Sequence, residues 1–88
     1  MPVSNATPLR LRVLLFASYA EALGFDQVDL SLDQRSTVGD AVRCLRALPG
    51  GEKLPNRPLC ALNLSQAAPE DPLSPGDELA LLPPLSGG

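Results

Sequence analysis

Eighty-eight residues carrying a net charge of −3 make one domain with room for a single core. Aromatic residues are only 3% of the chain, so there is neither the stacking surface nor the basic face of a nucleic-acid reader. There is no histidine, and the two cysteines, Cys44 and Cys60, stand far apart; a zinc cluster lacks its ligands, and the usual general base is missing.

In chain order, "MPVSNATP" has two prolines and no periodicity and reads as a loose leader over residues 1–8. "LRLRVLLF" alternates, with Leu9, Leu11, Val13 and Leu15 on one face. Its other face begins with Arg10 and Arg12 and turns apolar at Leu14 and Phe16. That pattern suits a strand covered on both faces at one end and wet at the other. The apolar run after the arginines is too short to span a membrane, and no signal peptide is recognisable. A cytoplasmic protein without a disulfide is expected.

"SYAEALG" holds a turn or two of helix closed by Gly24. "QVDLSL" is a second strand, with Val28, Leu30 and Leu32 inward, paired antiparallel to the first. The clearest helix is "STVGDAVRCLRALPGG". Thr37 is its N-cap and Asp40, three residues on, completes a capping box. Val38, Ala41, Val42, Leu45 and Leu48 form its apolar face, Arg43 and Arg46 face water, and Pro49 to Gly51 stop it. "GEKLPNRP" reads as a loop. "LCALNLSQA" reads as one strand, with Leu59, Ala61 and Asn63 in one row and Cys60, Leu62 and Leu64 in the other. Pro75-Gly76 marks a turn. "ELALLPP" is the last strand, ended at Pro83 because proline donates no ladder hydrogen bond.

The predicted order is a strand hairpin with a short helix inside it, a long helix, then two strands. The long helix serves as a crossover to a parallel neighbour. This is an α+β roll in which a mixed sheet grips one main helix, the ubiquitin-like β-grasp. Residues 9–82 form that body and residues 83–88 a C-terminal tail.

Side-chain chemistry has little material. Glu70-Asp71 reads as a solvated turn rather than a cation site. Cys44, flanked by Arg43 and Arg46, is the better nucleophile candidate, yet both thiols read as packing residues in or near the core. The tail remains. Six residues extended reach roughly 20 Å. Pro83 and Pro84 favour extended backbone, Leu85 supplies one apolar anchor, and Ser86, Gly87 and Gly88 make a thin tip. Such a tip suits a narrow tunnel in a partner, where a terminal carboxylate is activated by attack on the α-phosphate of ATP. Leu81, Leu82 and Leu85 are expected to build an apolar docking patch beside it.

The chain resembles the small subunits of molybdopterin synthase. The resemblance is carried by "VLLFASYAEALG", with Phe16, Ala17, Glu21 and Gly24 in place, and by "TVGDAVRCL". "ALN" at Asn63 adds to it, and above all so does "PLSPGDELALLPPLSGG". It departs where the family has aromatics before Pro-Pro, here Leu81 and Leu82, and where Leu64 follows Asn63. The resemblance implies a β-grasp sulfur carrier with no stably bound cofactor. Gly88 is then adenylated with Mg-ATP by a ubiquitin-activator-like enzyme and converted to a thiocarboxylate. It next donates sulfur to cyclic pyranopterin monophosphate in a heterotetramer with the large synthase subunit, building the molybdopterin dithiolene. In that scheme Gly88 and Gly87 carry the chemistry, Leu82, Pro83, Pro84, Leu85 and Ser86 engage the partner, and the catalytic side chains belong to the partners. Thiazole-synthesis sulfur carriers share the fold and the Gly-Gly end but lack the Pro-Pro. A ubiquitin-like modifier, conjugated to lysines through the same terminus, is the other alternative.

Overall fold

The computed structural model describes residues 8–84. Residues 1–7 of the expected leader over 1–8, and the tip Leu85 to Gly88, lie outside the described residues. Five strands form one sheet, β1 (Leu9–Leu15), β2 (Gln27–Leu32), β3 (Leu59–Leu62), β4 (Ser65–Ala67) and β5 (Glu78–Leu82), in the order β2-β1-β5-β3-β4. Two helices, α1 (Ala17–Leu23) and α2 (Val38–Arg46), accompany it, with a single 3-10 turn at Gly51–Lys53. This is the β-grasp arrangement expected from the pattern.

Alternation decides the strand faces. On β1, Leu9, Leu11, Val13 and Leu15 are all at most 2% exposed. The α2 stripe of Val38, Ala41, Val42 and Leu45 packs into the same core as Leu79 and Leu81 of β5. Each fully buried leucine contributes roughly 1.5–3 kcal/mol of transfer free energy. Helix α2 starts as expected. Asp40 N donates to Thr37 Oγ1 at 3.3 Å, and Thr37 N donates to Asp40 Oδ2 at 2.9 Å. The Thr37 backbone N–H, helped by the Thr37 hydroxyl and the Arg43 guanidinium, holds the Asp40 carboxyl below its ordinary value. Helix α1 closes at Gly24, whose φ of +87° lets its N–H reach Ala20 O at 2.8 Å.

The topology corrects the reading in three places. First, β1 and β2 pair antiparallel as expected, but the strand reached through α2 is not a hydrogen-bonded neighbour of β2. The parallel pair is β1 with β5, and β3 joins the sheet antiparallel to β5. Second, residues 59–67 are two strands. Leu62 pairs with Ser65, and Asn63 and Leu64 between them have φ of +50° and +74°, a two-residue turn of the mirror-image type that fits sheet twist. Leu64 is therefore 93% exposed at a hairpin tip rather than in a strand row. Third, the 49–58 connection is not featureless: its 3-10 turn presents Leu54, only 2% exposed, to the core.

Turn chemistry elsewhere matches its residues. Ser74-Pro75-Gly76-Asp77 has Gly76 at φ +84°, with Asp77 N donating to Ser74 O at 3.1 Å, a turn with Pro and Gly in their preferred places. Asp71 is occupied in a turn of its own, Oδ2 accepting from Ala68 N at 2.9 Å. The segment around it meets α2: Val38 N donates to Asp71 O and Gly39 N to Pro69 O, at 2.9 and 2.8 Å.

Candidate functional site

The sheet has one face under α2 and one face open. Register determines what the open face carries. Leu82 lies opposite Leu59, Ala80 opposite both Leu14 and Ala61, and Glu78 opposite Arg12. The open face is therefore polar where β5 begins and apolar where it ends. At the polar end Arg12 Nε stands 3.8 Å from Asp29 Oδ1, an exposed pair of small energetic weight. At the apolar end Phe16 is 44% and Leu59 49% exposed. The outward face of β1 does turn apolar as its sequence suggested, with Leu14 half-buried, yet among the described residues no element covers Phe16.

Phe16, Ala17, Ser18, Leu59, Leu82, Pro83 and Pro84 line a groove of about 720 Å³. Its walls come from three places in the chain, joined by the strand order. Leu15 pairs with Leu81 at the end of β1, so Phe16 flanks the exit of β5. The corner from β1 into α1 is tight, with Ala17 at φ +49°, a conformation that costs an alanine on the order of 1 kcal/mol. The lining carries one hydroxyl, Ser18, and no ionisable group. Such a surface offers no acid, base or nucleophile; it can bind an apolar partner surface and set the direction of the chain that leaves it.

The predicted site residues divide accordingly. Leu82, Pro83 and Pro84 are brought together in this groove. Leu81 is fully buried and packs in the core, so the docking patch expected to include it loses that residue; strand alternation sends it to the side of Leu79. Leu85, Ser86, Gly87 and Gly88 lie outside the described residues. Phe16 and Leu59 were not singled out as partners of the tail; only the register of β1 and β3 against β5 places them there.

The thiols separate as well. Cys60 is 3% exposed, its Sγ lies 3.5 Å from Pro58 O, and burial pushes its pKa up to about 11. Cys44, expected as a packing residue, is instead exposed, because it lies outside the α2 stripe, beside Arg43 and Arg35 in a groove on the α2 flank. Both are free thiols. Among the described residues no group of His, Cys, Asp or Glu could hold a metal ion, and no helix is long and apolar enough to cross a membrane.

A β-grasp body with an apolar groove free of ionisable groups at the end of β5 defines a ubiquitin-like protein. The chain belongs to the ThiS family, which it matches over residues 13–88. It is 31% identical over 83 residues to a molybdopterin synthase sulfur carrier subunit of Chlamydomonas reinhardtii, covering 91% of this chain and 100% of that protein. It is 36% identical over 83 residues to small archaeal modifier protein 1 of Haloferax volcanii, covering 84% and 95%. A crystal structure of that modifier superposes with a TM-score of 0.78 at 33% identity over 90% of this chain and 99% of that chain. The fold is also that of a complex of subunits 1 and 2 of molybdopterin-converting factor from Helicobacter pylori, at a TM-score of 0.66 and 21% identity over 91% and 100%.

Proposed function

We propose that this chain is the sulfur carrier subunit of molybdopterin synthase. The observation that carries the reading is the apolar groove of Phe16, Leu59 and Leu82 at the foot of Pro83-Pro84. It is an exposed apolar surface at the end of β5, after which the sequence runs on to Gly87-Gly88. The similarity to the Chlamydomonas carrier supports it. So does the Helicobacter structure, in which a protein of this fold is complexed with a second subunit.

In this reading the Gly88 carboxylate attacks the α-phosphate of Mg-ATP on an adenylating enzyme, and pyrophosphate leaves. Sulfur from a donor then displaces AMP and leaves a thiocarboxylate. The charged tail enters the large synthase subunit and gives its sulfur to cyclic pyranopterin monophosphate. The chain's own contribution is positional. Pro83 interrupts the β5 ladder, Pro83 and Pro84 restrict the backbone, and the groove seats the partner so that the glycine tip reaches inward. Two carriers and two large subunits make the assembly.

The measurement is intact mass after incubation with an adenylating enzyme, ATP and a sulfur donor. One oxygen of the chain is exchanged for sulfur, and the exchange disappears when Gly88 is deleted while the circular-dichroism spectrum stays unchanged. A truncated chain that still supports dithiolene formation refutes the tail mechanism. The Haloferax relative favours a second use of the same activated glycine, transfer to a protein amine. Conjugates that form without a sulfur donor distinguish that use.

A further inference from the structure

We infer that Lys53 is the amine through which the activated tail of one copy becomes joined to a second copy of this chain. The inference rests on the second reading above, in which the glycine acyl-adenylate is passed to an amine. The chain has seven Lys and Arg residues, and Lys53 alone among them is a lysine. The guanidinium groups of the others stay protonated and cannot attack a carbonyl. Self-linkage through a side-chain amine therefore has one address.

The structure presents that address well. Lys53 is exposed at the end of a turn that is held from below. Lys53 N donates to Gly50 O at 3.2 Å and Leu54 N to Gly51 O at 3.0 Å. The next side chain, Leu54, is buried, and its carbonyl accepts from Arg46 Nε at 3.0 Å. Among the described residues no ion pair involves the Lys53 ammonium. The backbone is thus fixed and the amine faces solvent.

Topology adds the placement. Strand β2 ends beside the start of β1, so α2 begins at that pole and runs back toward the pole where β1 and β5 end. The turn that follows α2 packs on the end of α1; a Cβ on Gly50 would collide with the Ala22 carbonyl oxygen. Lys53 therefore stands at the pole from which the tail leaves.

The step balances without an oxidant. The neutral Nζ attacks the Gly88 carbonyl carbon of the acyl-adenylate. A C–N bond forms, the C–O bond to AMP breaks and AMP leaves with the electron pair, and the amine proton passes to solvent. ATP is the co-reactant.

The test incubates the full chain with an adenylating enzyme and Mg-ATP, without a sulfur donor, and reads pyrophosphate release and intact mass. A covalent dimer, twice the chain mass less one water, is expected from the wild type. Lys53→Arg is expected to release pyrophosphate at an unchanged rate and to lose at least ten-fold in dimer. A dimer that persists in Lys53→Arg, a monomer that loses one water by cyclisation, or activation without any dimer overturns the inference while leaving tail activation standing. Absent pyrophosphate release overturns the activation reading, and this inference with it.

Discussion

Leu64 shows how one residue can carry strain for no packing return. Its φ is +74° and its side chain is 93% exposed. The left-handed conformation costs an L-residue on the order of 1–2 kcal/mol, and asparagine tolerates it far better. Leu64→Asn should therefore stabilise the chain by about 1 kcal/mol, read as a higher urea midpoint at unchanged slope. The neighbouring Asn63 should stay, since its side chain ties the hairpin to β5: Nδ2 donates to Asp77 Oδ1 at 2.9 Å, and Oδ1 accepts from Glu78 N at 3.0 Å. The two cysteines give a second residue-scale test. Cys44 should react with a thiol reagent in the folded protein, while Cys60 should wait for unfolding. Burial raises the Cys60 thiol from 9.0 to about 11, so the contribution it makes to stability is full below pH 9 and is lost as pH rises toward 11. Cys60→Ala should remove that alkaline decline, whatever it costs at neutral pH.

At the scale of elements, α2 depends on its capping box. Thr37→Ala removes the acceptor for Asp40 N and should cost about 1 kcal/mol by denaturant titration. The Asp40 carboxyl is held below 3.8 in the fold, so the support it lends is present above that pH and fades as pH falls through its lowered value. The cap, the apolar stripe of α2, the alternation of β1 and the proline stop of β5 were all readable, because each is a local pattern with a local cause. The β3–β4 turn was hidden because leucine is a poor guide to a left-handed position. Leu54 was hidden because a lone core residue inside a polar connection has no period to betray it. The groove was only half readable. Leu82, Pro83 and Pro84 are consecutive, but Phe16 and Leu59 join them through pairings across the sheet, and strand order is not written in any short window of sequence.

For the whole molecule, the two faces of the sheet have separate tasks. The helix-covered face holds the fold together, and the open face leaves its apolar end exposed, where the proposed function seats a partner. Substitution should separate them. Leu59→Glu places a charge on a half-exposed position outside the core. It should weaken binding to the large synthase subunit at least ten-fold by calorimetry and leave the thermal midpoint within a few degrees of wild type. Leu45→Ala, in contrast, opens a hole at a fully buried position and should cost about 2–5 kcal/mol.

The place of β5 has one more consequence. It lies in the middle of the sheet, parallel to β1 on one side and antiparallel to β3 on the other. A pull on the end of β5 against the start of β1 loads that parallel ladder in shear. Its hydrogen bonds then share the force instead of opening one after another like a zipper. A machine that grips this protein by the tail meets the domain along its most resistant mechanical axis. In the proposed mechanism the body would then remain folded while the tail is drawn into a partner and withdrawn, as repeated cycles of loading and delivery would demand.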